Sequence, residues 1–219
     1  MKVRAKPSHL VWAAFLVLFA PRLFPQLLAF PYHQQAGPFE VWSDEPINYA
    51  RLLTIATDAT GRLQTSPLYA APEARKVFLT QGSWRWHWLT LQLGGAFAVS
   101  PPITNPLIIN RNSIAENAVW NDRPVGGKRS LAGILAHETC HGMERRQFGL
   151  LSDWTKPTWL REGYCDYVAQ ESSLSDADYA ALMSAGTNHP ALPYYLGRRR
   201  VANELAANGG DVDALFAAF

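Results

Sequence analysis

Charge is scarce in this chain: only 17% of its 219 residues are charged, and 20 Lys and Arg against 18 Asp and Glu leave a net +2. That balance offers no basic excess to neutralise a run of phosphates, and no Lys/Arg block interleaves with aromatics, which argues against nucleic-acid binding. The two cysteines are too few for the disulfide framework that holds very small secreted domains together. Internal repeats and low-complexity tracts are also missing. What is present, 48% hydrophobic residues with 15 Gly and 15 Pro, suits one globular domain of ordinary size.

Lys2, Arg4 and Lys6 precede an unbroken apolar run at residues 10–20, the order of a secretory signal. The run is shorter than the ~20 residues that a spanning helix needs, but residues 10–30 reach that length past Pro21, Arg22 and Pro25. A cut after Ala20 would leave Leu18 where a signal peptidase prefers a small residue, and a cut after Ala29 has the same defect at Leu27. Residues 1–30 are therefore expected to be an uncleaved signal anchor, with a cleaved signal peptide and a secreted product as the alternative. The N-terminal cations would stay cytoplasmic, placing the rest in the periplasm or outside the cell. Residues 31–38, rich in Pro, Gly and Gln, read as a linker to a domain spanning residues 39–219.

Within that domain, Ser43, Asp44, Glu45 and Pro46 resemble a helix start, followed by a stripe of Ile47, Leu52, Leu53 and Ala56 that ends before Gly61. Short β-prone runs fall at residues 76–80, 94–100 and 107–110. Between the first two, Trp84, Trp86 and Trp88 fit a strand or a helix equally, and their expected role is core filling. From Lys128 onward the periods are helical, with Ser175 a plausible N-cap and a long helix from Pro193 to Asn208-Gly209-Gly210. This order predicts an α+β fold, a small N-terminal mixed sheet followed by a helical C-terminal part.

The chemistry is concentrated in His137-Glu138-Thr139-Cys140-His141. On a helix, positions i and i+4 share a face, so His137 and His141 can hold one Zn2+ between them while Glu138 stands beside it. A catalytic zinc site needs a third protein ligand and an open position. The metzincin spacing fails, because Glu144 and Gln147 occupy the positions that need Gly and His. The carboxylate of Glu162, on a second helical stretch twenty-one residues after His141, is the best third ligand. Asp166 follows one helical turn later on the same face and is placed to accept the outer ring N–H of a ligand histidine.

Trp159-Leu160-Arg161-Glu162-Gly163-Tyr164-Cys165-Asp166-Tyr167, together with the H-E-x-x-H motif, resembles the gluzincin metallopeptidases of the peptidase MA-like families. The resemblance spans roughly residues 107–205. It implies a zincin-like fold, one Zn2+ held by His137, His141 and Glu162, and peptide-bond hydrolysis by a metal-activated water with Glu138 as general base. It also implies that Asp166 orients a ligand histidine, as an Asp at this spacing does in thermolysin-like gluzincins. Leu107, Ile108, Ile109 and Asn110 resemble the family's edge strand, which pairs with an extended peptide or protein substrate over the active site. Tyr195 resembles the tyrosine of a downstream helix that assists catalysis, with Tyr194 and His189 as neighbouring competitors. Ala115-Glu116-Asn117 matches the tail of an exopeptidase loop only by accident, since it follows the strand.

Cys140 and Cys165 flank zinc ligands on two helices that must converge. Two buried small side chains are the expected outcome, with a disulfide as the alternative. Two other functions fit the same residues: a zinc-binding pseudopeptidase acting as an adaptor, and an amidohydrolase acting on a non-protein amide. Retention of Glu138 disfavours the adaptor, because proton transfer needs that residue and zinc binding does not.

Overall fold

The computed structural model describes residues 12, 19–91, 95–101 and 106–219. Most of the anchor expected at residues 1–30 lies outside the described residues, and no described helix is long and apolar enough to cross a membrane.

Residues 31–38 are not a linker. Tyr32–Ala36 forms strand β1, which reverses through Gly37 and Pro38 and pairs antiparallel with β2, Phe39–Ser43. Gly37 sits at φ +56°, the left-handed conformation that a two-residue hairpin turn demands at its first position. The Pro and Gly that suggested a loop thus mark a tight turn, and the polar face of β1 concealed the strand.

Strand β3, Arg75–Leu79, lies parallel to β2, and β5, Leu107–Ile109, lies parallel to β3. The two-residue β4, Ala98–Val99, closes the sheet antiparallel to β5, giving the order β1-β2-β3-β5-β4. The expected edge strand is therefore interior. Leu107, Ile108 and Ile109 are fully buried and flanked by strands on both sides, so they have no free backbone for a substrate. Asn110 is also engaged, since its side chain donates to the Ala96 carbonyl at 2.9 Å and its backbone N–H to the Phe97 carbonyl. On this side of the sheet the edge strand is Ala98–Val99, and β1 forms the other edge.

Helix α1, Tyr49–Leu63, connects β2 to β3. It starts later than the sequence suggests because Ser43 completes β2, and Asn48 caps the helix by accepting from the Arg51 N–H. Gly61 lies inside it. The ambiguous tryptophan segment is a short helix, α2, Trp84–Thr90, on which Trp86 fills a cluster with Leu89 and Ile108 while Trp84 stays exposed. A second sheet of β6, Arg111–Ser113, β7, Ala118–Trp120, and β8, Lys128–Arg129, delivers the chain to the central helix. Strands this short carry no readable alternation, so the sequence did not reveal them.

Helix α3, Leu131–Phe148, is buried on nearly every side through Glu144, as a helix packed in the centre of the domain is. Its N-terminus is fixed twice. Ser130 accepts from the Gly133 N–H at 2.9 Å, and Glu171 takes both the Ser130 N–H, at 2.6 Å, and the Ser130 hydroxyl. A carboxylate here also answers the positive end of the helix dipole. Short helix α4, Ser152–Thr155, leads to α5, Thr158–Val168, followed by α6, Asp176–Ser184, with Ser175 forming a capping box. The chain ends with α7, Leu192–Ala207, and α8, Val212–Ala218.

Helices α5 and α7 meet backbone to backbone. A Cβ on Gly163 would overlap the Gly197 carbonyl carbon, and one on Gly197 would stand 2.7 Å from the Trp159 carbonyl oxygen. Across the core, the Tyr164 hydroxyl and the Ser66 hydroxyl are 2.7 Å apart, tying α5 to the segment after α1.

Cys140 on α3 and Cys165 on α5 are joined in a disulfide with a Cα–Cα distance of 5.4 Å, correcting the expectation of two unbonded thiols. Both positions are fully buried, and the helices approach closely enough for the two side chains to meet. The bond closes a loop of 25 residues, for which chain entropy gives about 3 kcal/mol. The Cys140→Ala/Cys165→Ala double variant is expected to lose about that much stability in denaturant titrations. An unchanged midpoint would show that helix packing alone supplies the constraint.

Candidate metal centre

Helix α3 presents His137 and His141 one turn apart, and α5 presents Glu162 opposite them. Glu162 Oε2 lies 3.3 Å from His137 Nε2 and 3.6 Å from His141 Nε2. Ligands 2.0–2.1 Å from a tetrahedral Zn2+ stand ~3.4 Å apart, so the Glu162 oxygen stands at about ligand-to-ligand separation from both imidazoles. All three ligand atoms fall within 4.8 Å of one another, and the set of two nitrogens and one oxygen leaves a fourth position open. The residues present fit the metal.

The outer nitrogens of both histidines face buried carboxylates. Asp166 Oδ1 is 2.8 Å from His137 Nδ1 and is itself 2.9 Å from Arg129. Glu144 Oε2 is 3.0 Å from His141 Nδ1. Asp166 thus stands where its helical spacing placed it. Glu144 was missed as a partner, although its i+3 position relative to His141 is a local signal that would have found it. Carboxylates at these positions fix the ring orientation and make the inward nitrogen a better ligand.

Electrostatics follow from this enclosure. Burial alone would lower the His137 imidazole, but Asp166 and Glu162 outweigh it and hold it up to about 9. His141 is raised in the same sense, burial being overcome by Glu162 and Glu144. Burial would raise the Glu162 carboxyl, yet the two imidazoles hold it well below the ordinary range. Asp166 is likewise lowered against burial, first by Arg129 and then by His137. A metal entering this site must displace imidazole protons, so its affinity rises with pH. Asp166→Asn is expected to weaken zinc binding by ~10–100-fold in chelator competition, because the neutral amide no longer supports His137. An affinity equal to wild type would demote Asp166 to a structural partner of Arg129.

His137, His141 and Glu162 open onto a cavity of about 440 Å3. It is lined by these three residues together with Glu138, Tyr194 and the Ala96–Ser100 segment containing β4. Glu138 is half-buried, and its backbone carbonyl accepts from the buried Arg75 at 2.7 Å. Arg75 is a support that the sequence did not disclose. Gly142 leaves room for it, since a Cβ there would come within 2.9 Å of its guanidinium.

Tyr195 is not at this cavity. It is buried against Leu182 and Leu192, stacks on Tyr179, donates its hydroxyl to Asp176 and accepts from Arg199. The preceding residue, Tyr194, lines the cavity instead. One residue is about 100° on a helix, and the sequence of two adjacent tyrosines carries no phase. Burial and the negative charge of Glu162 and Asp166 raise the Tyr194 hydroxyl above its usual pKa, so at neutral pH it remains a hydrogen-bond donor. His189 and the Trp84, Trp86 and Trp88 side chains are also absent from the lining.

No family model matches the chain, and comparisons with curated proteins and with solved structures likewise give no significant match.

Proposed function

We propose that the protein is a zinc-dependent peptidase of the gluzincin type with a zincin-like fold. The observation that carries this reading is the convergence of His137, His141 and Glu162 within a catalytic ion's ligand spacing, with Glu138 on the same cavity wall. When bound, Zn2+ supplies Lewis-acid polarisation of the substrate carbonyl and makes water acidic near neutral pH. Of the three carboxylates lining the cavity, Glu162 belongs to the ligand set and Asp153 is paired with Arg145 at 2.8 Å. Glu138 therefore remains to take the proton from the attacking water and return it to the leaving amine. Tyr194, a neutral donor, is placed to stabilise negative charge that develops on the carbonyl oxygen. An extended substrate has the backbone of β4 to pair with, since that strand is the sheet's edge beside the metal.

Tyr194→Phe is expected to reduce kcat by ~100-fold with little change in KM, the pattern of an interaction made mainly in the transition state. A matching rise in KM alone would make Tyr194 a substrate-binding residue.

An exported location accords with the disulfide, since such bonds persist in oxidising compartments. Membrane attachment through residues 10–30 accords with the surface around α2, where Leu23, Phe24, Leu27, Trp84 and Leu91 are each more than half exposed. The catalytic part would then be periplasmic or extracellular, released only if the N-terminal segment is cleaved.

The decisive experiment is zinc analysis of the purified full chain, followed by chelator-sensitive cleavage of a mixed peptide library. One zinc per chain with cleavage establishes the peptidase. Zinc without cleavage favours the adaptor or a non-protein amide, and absence of zinc removes the metal centre altogether.

A further inference from the structure

Four arginines line the metal cavity, Arg123, Arg129, Arg145 and Arg161, against the three carboxylates of Glu138, Asp153 and Glu162. Three of the four are engaged. Arg129 lies 2.9 Å from Asp166, and Arg145 lies 2.8 Å from Asp153. Arg161 donates to the Lys156 carbonyl at 3.2 Å and lies 3.8 Å from the free oxygen of the ligand Glu162. The guanidinium of Arg123 has no ion pair or hydrogen bond among the described residues, although its backbone N–H is fixed by Asn121. The segments outside the description cannot supply a carboxylate, because residues 1–18, 92–94 and 102–105 contain no Asp or Glu.

Arg123 is nonetheless held in place. Asn121 donates to the Gly95 carbonyl at 3.0 Å, joining the arginine's loop to the segment that enters β4. The guanidinium packs against Gly95, where a Cβ would come within 2.6 Å of it. Arg123 and Arg161 line the same cavity as Tyr194, and their charges partly offset the burial and the Glu162 and Asp166 charges that raise its hydroxyl. A guanidinium without a partner in a partly enclosed cavity favours a planar anion that takes two parallel hydrogen bonds.

We propose that the cavity selects peptides bearing a carboxylate close to the scissile bond, with Arg123 as the residue that reads it and Arg161 adding to the field. The proposal rests on the peptidase reading for its substrate, but the carboxylate preference is a binding property that can be measured without turnover. Arg123 stands beside the residues leading into the edge strand, so a peptide paired with β4 brings its flanking carboxylate within reach.

The test uses the zinc-loaded full chain and amidated alanine hexapeptides with a single Glu moved through each position, each matched to its Gln counterpart. An otherwise identical hexa-alanine with a free C-terminus separates a terminal from a side-chain carboxylate. Equilibrium binding is measured by titration calorimetry, and kcat/KM wherever cleavage occurs. At one position, or at the free terminus, the anionic peptide is expected to bind about 10- to 100-fold more tightly than its neutral partner. Arg123→Gln should bring that ratio close to one, and Arg123→Lys should restore part of it. A wild-type ratio near one at every position overturns the proposal, as does a ratio that survives in Arg123→Gln. If the preference is found and depends on Arg123 while no peptide is cleaved, the carboxylate site stands and the peptidase reading falls.

Discussion

Glu138→Gln should keep one zinc per chain and lose ~1000-fold in kcat. The substitution preserves side-chain size and leaves His137, His141 and Glu162 untouched, so metal content and melting temperature should match wild type. What disappears is proton transfer, which a positioned base accelerates by ~100–10,000-fold. Neither Asp153 nor Glu162 can replace it, since one is held by Arg145 and the other by the ligand set. Elemental analysis and initial rates on the same preparation check both halves of the expectation. Full activity in the variant would exclude the mechanism, whereas loss of zinc would show that Glu138 supports the metal.

Glu162→Ala should have the larger effect on the metal. Removing a partner of a ligand histidine costs ~10–100-fold in affinity, and removing a ligand must exceed that. Two imidazoles remain, with their Nε2 atoms no longer opposed by an oxygen at 3.3 and 3.6 Å. After dialysis against a chelator concentration that leaves wild type loaded, the variant should contain almost no zinc. Activity should vanish with it and return only at high added zinc. A fully loaded variant would mean that the third ligand is another residue.

The parts of this centre that were legible in the sequence are those fixed by local geometry. His137, Glu138 and His141 lie within five residues of one helix, and Glu162 and Asp166 one turn apart on another, so helical spacing alone orders each set. Ser175 was readable as a cap for the same reason. What failed depended on neighbours distant in sequence. Leu107, Ile108 and Ile109 look like any buried strand, and nothing local says that Ala98–Val99 lies outside them. Tyr194 and Tyr195 differ only in helical phase, which the packing of Leu182 and Leu192 decides. The β1 strand was hidden because its composition is that of a loop, and the cysteine pair because bond formation depends on the approach of α3 to α5. The α+β class was readable, but helices α1 and α2 are interleaved with the strands rather than following them.

The meeting of Gly163 and Gly197 constrains how this cavity can vary. Glu162 precedes one glycine and Tyr194 lies one turn before the other, so the width of the cleft between them is set by two backbones already in contact. Even a methyl group added at either position acts as a wedge between α5 and α7, changing the bite of the site without touching a ligand. Reshaping of the cavity is therefore constrained where these two helices meet. Room for change lies instead in the segment around β4, which also lines the cavity and whose side chains can be exchanged without moving α3 or α5.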